Sequence, residues 1–92
     1  MKETIQRAGE WAAELYEQRT WELAEMGTLH ISQVHPAYRV TTHEVMAEFK
    51  FSLAPWMVEF HKVFRKEMKK RHLLQVLSGK MKSDEWLKKY RG

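Results

Sequence analysis

The chain reads as a mainly α protein, a compact bundle of about four helices at roughly 2–26, 42–53, 55–77 and 83–90. Three observations predict this. Apolar residues recur at helical spacing from the start of the chain; caps, prolines and glycines fall between the periodic stretches; and the cations of a later segment collect on one side of a helical wheel. With 92 residues, 43% of them hydrophobic, and eleven aromatics, the chain can bury one core, so residues 1–92 are read as a single small domain.

The first helix is predicted over 2–26. Ile5, Ala8, Ala12, Leu15, Tyr16, Leu23 and Met26 share one side of a wheel that advances by about 100° per residue. Glu3, Glu10, Glu14, Glu17 and Glu25 lie opposite, and Gly27 supplies a C-terminal stop. Two residues depart from the pattern. Arg19 falls in the apolar arc, where its stem can lie flat while its head reaches water. Trp21 projects from the acidic face, and tryptophan is enriched at interfaces, which makes it a candidate contact residue.

Residues 28–40 are the least regular, with Leu29 and Ile31 hinting at a short strand before Pro36 breaks the element. "VTTHEV" then reads as a helix start. Thr41 caps, Glu44 reaches back three residues, and Val40 and Val45 occupy the two staple positions. A helix over 42–53 follows, ended by Pro55, which disfavours helical geometry at Ala54. The alternative is α+β. Val45, Ala47, Phe49, Phe51 and Leu53 alternate at strand spacing, and a small sheet would form from 28–34 and 45–53.

Pro55 suits the first position of the next helix, which runs to about Leu77 with Ser78-Gly79 as its exit. A last helix over 83–90 has Ser83 as cap and Lys88 and Lys89 in its final turn. Within 55–77, Trp56, Phe60, Val63 and Phe64 form one side; Lys62, Arg65, Lys66 and Lys69 form the other, flanked by His61 and His72. Glu67 and Arg71 interrupt the apolar stripe and stand four apart in the favourable acid-first order. Beyond them Leu73, Leu74, Val76 and Leu77 spread around the circumference. The helix is therefore expected to pass beyond the core near Lys70 and then re-enter packing or meet a partner.

Charge is segregated along the chain. The acidic half, 1–48, holds four basic side chains against eight glutamates; the basic half, 49–92, holds twelve against four acids. "HKVFRKEMKKRH", residues 61–72, carries six of those cations. Lys70 and Arg71 are among the six; with Lys80, Lys82, Lys88 and Lys89 added, and Trp86 and Tyr90 in the same half, the composition suits phosphate contact plus base stacking. A Lys-rich face is also what any solvated helix presents. No zinc-finger, glycine-turn helix-turn-helix or basic-zipper pattern accompanies it.

Catalysis is not expected. No nucleophile stands with a base, no glycine-rich phosphate loop occurs, and Asp84 is the only aspartate. No cofactor is implied. His30, His35 and His43 lie close in sequence, but their spacing matches no familiar zinc site, so no metal ligands are assigned. There are no cysteines, "MKETIQRAGEW" lacks a signal-peptide run, and no stretch is long enough to span a bilayer; the expected setting is intracellular, reducing and cytoplasmic.

The leading expectation is a non-enzymatic binding protein whose basic half contacts an anionic partner, foremost nucleic-acid backbone without strong sequence preference. The alternative is a protein-interaction module such as an adaptor, assembly factor or small inhibitor, of viral or mobile-element type. It would meet another protein or a second copy through Trp21, Leu73, Val76 and Leu77, or take an acidic protein on the basic face.

Overall fold

The structure, a computed structural model, describes residues 2–26, 31–49 and 53–74. Three α-helices account for most of them: α1 (Lys2–Glu25), α2 (Ile31–Glu48) and α3 (Met57–Lys70), the last preceded by a 3-10 turn, Ala54–Trp56. No strand occurs among the described residues, and residues 45–48, assigned to the alternative sheet, are helical. The expected helix at 83–90 lies outside the described residues.

The first helix forms as its periodicity predicts. Ile5, Ala8, Ala12 and Tyr16 are buried, joined by Gly9, Ala13 and Thr20, while Leu15 and Leu23 pack partly buried at the margin. Met26, placed on the same stripe, is instead 68% exposed, beyond the last turn. Trp21 does not project freely from the acidic face: it is partly buried against the core.

The small residues of α1 let α3 approach closely. A Cβ on Gly9 would fall 2.3 Å from Val63 Cγ1 and 2.7 Å from Val63 Cβ, closer than atoms can sit, and a tight 3.2 Å from the Phe64 amide nitrogen. Gly9 meets Val63 and Glu17 meets Arg71, so the two helices run parallel. Helix α2 runs antiparallel to α1: Trp11 sets its ring edge-on to Phe49 at 6.0 Å, and Arg19 meets Thr41 near the other end. Tyr16, Phe60, Phe64, Leu53, Met68, Leu73 and Val45 fill the space between. Tyr38 of α2 stacks on Phe64 of α3 at 4.7 Å, and Tyr16 meets both rings edge-on. Burial raises the Tyr16 phenol pKa, opposed by a Thr20 side-chain hydrogen bond, so this phenol stays neutral.

Several boundaries differ from the sequence expectation: α2 ends at Glu48, short of the expected 53, and α3 begins at Met57, after a 3-10 turn, where 55 was expected. The second helix begins at Ile31, not Thr42, and carries Pro36 inside it. A proline there forfeits one backbone hydrogen bond. The supposed capping box serves tertiary structure instead. Thr41 is buried and donates its hydroxyl to the Ala37 carbonyl at 2.8 Å; Arg19 donates to Thr41 Oγ1 at 3.0 Å and pairs with Glu44. Val40, half of the expected staple, is 48% exposed while Val45 is buried. The Arg19 head is thus held between α1 and α2 while the side chain stays partly exposed.

The third helix ends at Lys70, not Leu77, and Pro55 sits in the 3-10 turn ahead of it. The Arg71 amide donates to the Glu67 and Met68 carbonyls and the His72 amide to Lys69, tightening the last turn. His72 then adopts φ 63°. That left-handed geometry costs roughly 1–2 kcal/mol for a non-glycine residue. It swings Leu73 into the core, where it is fully buried, and such burial stabilises by about 1.5–3 kcal/mol. The chain re-enters packing at Leu73 as expected, but through a turn and not along a continuing helix.

Gly9→Ala tests the close approach. A methyl group forced into a filled contact costs about 1–3 kcal/mol, and better helix propensity returns only about 0.8–1 kcal/mol. A net loss of about 1 kcal/mol in urea unfolding is expected; a variant more stable than the parent would mean that α1 and α3 sit further apart.

Candidate nucleic-acid interface

Helix α3 divides along its length. Phe60, Phe64, Glu67 and Met68 face α1 and α2, while Lys62, Arg65, Lys66, Lys69 and Lys70 are exposed. The spacing 62, 65, 66, 69 is the i, i+3, i+4, i+7 pattern of one helical face. Burial of the two phenylalanines fixes the rotation of the helix and therefore the direction in which its cations point.

These cations are not equivalent. Lys70 Nζ lies 2.9 Å from Glu67, and Arg71 lies 3.3 Å from Glu67 and 3.6 Å from Glu17 of α1. Lys70 and Arg71, both expected on the partner surface, are thus engaged by the protein's own carboxylates. Glu67 is only 8% exposed; the Lys70 hydrogen bond, helped by Arg71, holds its carboxyl below the usual carboxylate range against the opposing effect of burial. Lys62 has a long contact with Glu59 at 3.6 Å, both side chains well exposed, which contributes about 0–1 kcal/mol at most. Arg65, Lys66 and Lys69 have no carboxylate within ion-pair distance among the described residues.

The flanks also differ from expectation. His61 is half-buried, with its Nδ1 2.9 Å from the Tyr38 hydroxyl and its ring stacked on Tyr38. Burial, then the nearby Arg65 charge, lowers its pKa, so at neutral pH it is a neutral neighbour of the basic face and not a sixth cation. His72 is exposed at the helix end. Arg39 was given no face by the sequence, because residues 28–40 read as irregular, and His43 fell in the helix expected beyond it. Once α2 runs from Ile31, they line a depression of about 720 Å³ with Pro36, Tyr38 and Val40. Tyr38 stacks on Phe64 and bonds His61, both of α3, so this depression adjoins the basic helix.

Leu73, expected at a protein interface, is fully buried and is a core residue. Val76, Leu77, Lys80, Lys82, Trp86, Lys88, Lys89 and Tyr90 lie outside the described residues, as do the side chains of His30 and His35. Among the described residues no three metal-ligating side chains converge, and no helix is long and apolar enough to cross a membrane. At the other end of α3, Trp56 and Val58 are 42% and 68% exposed, and Trp56 lines a depression of about 480 Å³ with Lys2, Ile5, Gln6, Glu59 and Val63.

No protein-family model matches the chain, and no curated protein or solved structure is significantly similar to it.

Glu67 ties acid stability to this region. Its folded pKa is depressed, so the stability it contributes is present above the unfolded carboxylate range and lost as pH falls through the folded value. Thermal unfolding followed from neutral pH to pH about 3 should show this loss. Glu67→Gln should be less stable at neutral pH and flatter in acid; an unchanged acid slope would contradict the assignment.

Proposed function

We propose that the protein binds the phosphate backbone of nucleic acid through the exposed half of α3, by association and not by catalysis. One observation carries this reading: Lys62, Arg65, Lys66 and Lys69 share a single exposed face, and three of them have no carboxylate partner among the described residues. Phosphate contact requires only cations at reach, and release of condensed counterions supplies the free energy. Backbone contacts of this kind carry no sequence information by themselves. Lys70 and Arg71 contribute less than the sequence suggested, since Glu67 and Glu17 already compensate them. Lys80, Lys82, Lys88 and Lys89 extend the positive half, with Trp86 and Tyr90 as candidate stacking residues.

A second reading has its own support. Trp56 and Val58 leave apolar surface at the N-terminal end of α3, beside the depression formed with Ile5 and Val63. Such a patch suits a protein partner, so an adaptor or small inhibitor is the alternative.

Four phosphate contacts predict a log–log salt slope of about −3.6, hence roughly a hundredfold loss of affinity between about 50 and 200 mM salt. Arg65→Ala, Lys66→Ala and Lys69→Ala should each reduce the slope by about 1, and Lys70→Ala by less. Fluorescence anisotropy with a labelled oligonucleotide measures both. An affinity indifferent to salt would overturn the reading, and a protein partner that survives nuclease in a pull-down would favour the second.

A further inference from the structure

We infer that the nucleic acid taken by this face is B-form duplex DNA, with α3 seated in the major groove; the inference rests on the backbone-binding reading above. Half of the circumference of α3 is free, from Val58 and Glu59 through Lys62, Arg65, Lys66, Lys69 and Lys70. Lys62 and Lys69 stand on the crest of that half, seven residues apart, which is about 10.5 Å along the axis. Arg65 and Lys66 are consecutive, so they diverge by about 100° and form the two shoulders. This is a ridge, not a channel.

A helix with its side chains is about 10–12 Å across, and the major groove of B-DNA is about 12 Å wide. Seated there, the crest lysines reach the groove floor, where guanine O6 and N7 accept hydrogen bonds. The shoulders reach phosphates on opposite walls. The A-form RNA duplex offers no such seat, because its major groove is deep and narrow. A single strand is bound by stacking as well as charge, and the rings of this helix are withdrawn from the face. Phe60 and Phe64 are fully buried, and Tyr38 stacks on Phe64 and bonds His61.

The test is anisotropy with the full chain at one moderate salt concentration, using duplex DNA, duplex RNA of the same sequence and one of the single DNA strands. The expected result is duplex DNA bound more than about tenfold tighter than either, since each lost phosphate contact removes close to a decade of affinity near 0.1 M salt. Methyl green, which occupies the major groove, should displace the protein, and the minor-groove ligand netropsin should not. Equal or tighter binding of RNA duplex or single strand, or displacement by netropsin alone, overturns the duplex-groove inference while leaving backbone binding intact. Loss of a single-strand preference in Trp86→Ala would then assign the site to stacking. Binding to none of the three overturns the backbone reading itself.

Discussion

The contact between α1 and α3 governs the rest of the structure. Gly9, with Ala8, Ala12 and Ala13 around it, removes side-chain bulk from one stripe of α1, and Val63 and the Phe64 backbone move into the space. Close approach lets Phe60, Phe64 and Met68 bury fully against a helix that has little to offer in volume. Those three residues in turn set the rotation of α3. Once they point inward, helical spacing sends Lys62, Arg65, Lys66 and Lys69 outward together. The basic face is thus a consequence of core packing, and what organises it is a glycine on another helix.

Charge is handled differently inside and outside that contact. Glu67 stands in the apolar stripe of α3, where an unpaired carboxylate would be costly, and it is satisfied by Lys70 and Arg71. Arg71 also reaches Glu17, so the acidic and basic halves of the chain are joined across the α1–α3 contact. Arg19 performs the equivalent task between α1 and α2, with Thr41 and Glu44. The acids that compensate cations are those near the helix–helix seams. The exposed cations of α3 lie on its outer half, away from those seams, and that placement gives the candidate interface its position.

Much of this was legible in sequence. Helical periodicity read over 2–26 and 55–77 identified both helices and most of their inward faces, Trp56 excepted, and the acid-first spacing of Glu67 and Arg71 foretold their pairing. Other signals misled for identifiable reasons. Thr41, Thr42 and Glu44 have the composition of a capping box, but the same groups can satisfy an arginine from another helix, and nothing local distinguishes the two uses. His72 carries no glycine to announce a left-handed turn, so the end of α3 at Lys70 was invisible. Burying Leu73 stabilises that turn, and a burial term depends on what lies opposite.

By itself the sequence determined the helical class, the segregation of charge between halves and the alignment of four cations on one face, because each depends on spacing along a single chain segment. Only the tertiary structure decided where α2 begins, which way α1 and α3 run, and which cations remain uncompensated. Those outcomes depend on distances between residues far apart in sequence, such as Glu17 to Arg71 and Gly9 to Val63, and a one-dimensional pattern holds no record of such distances.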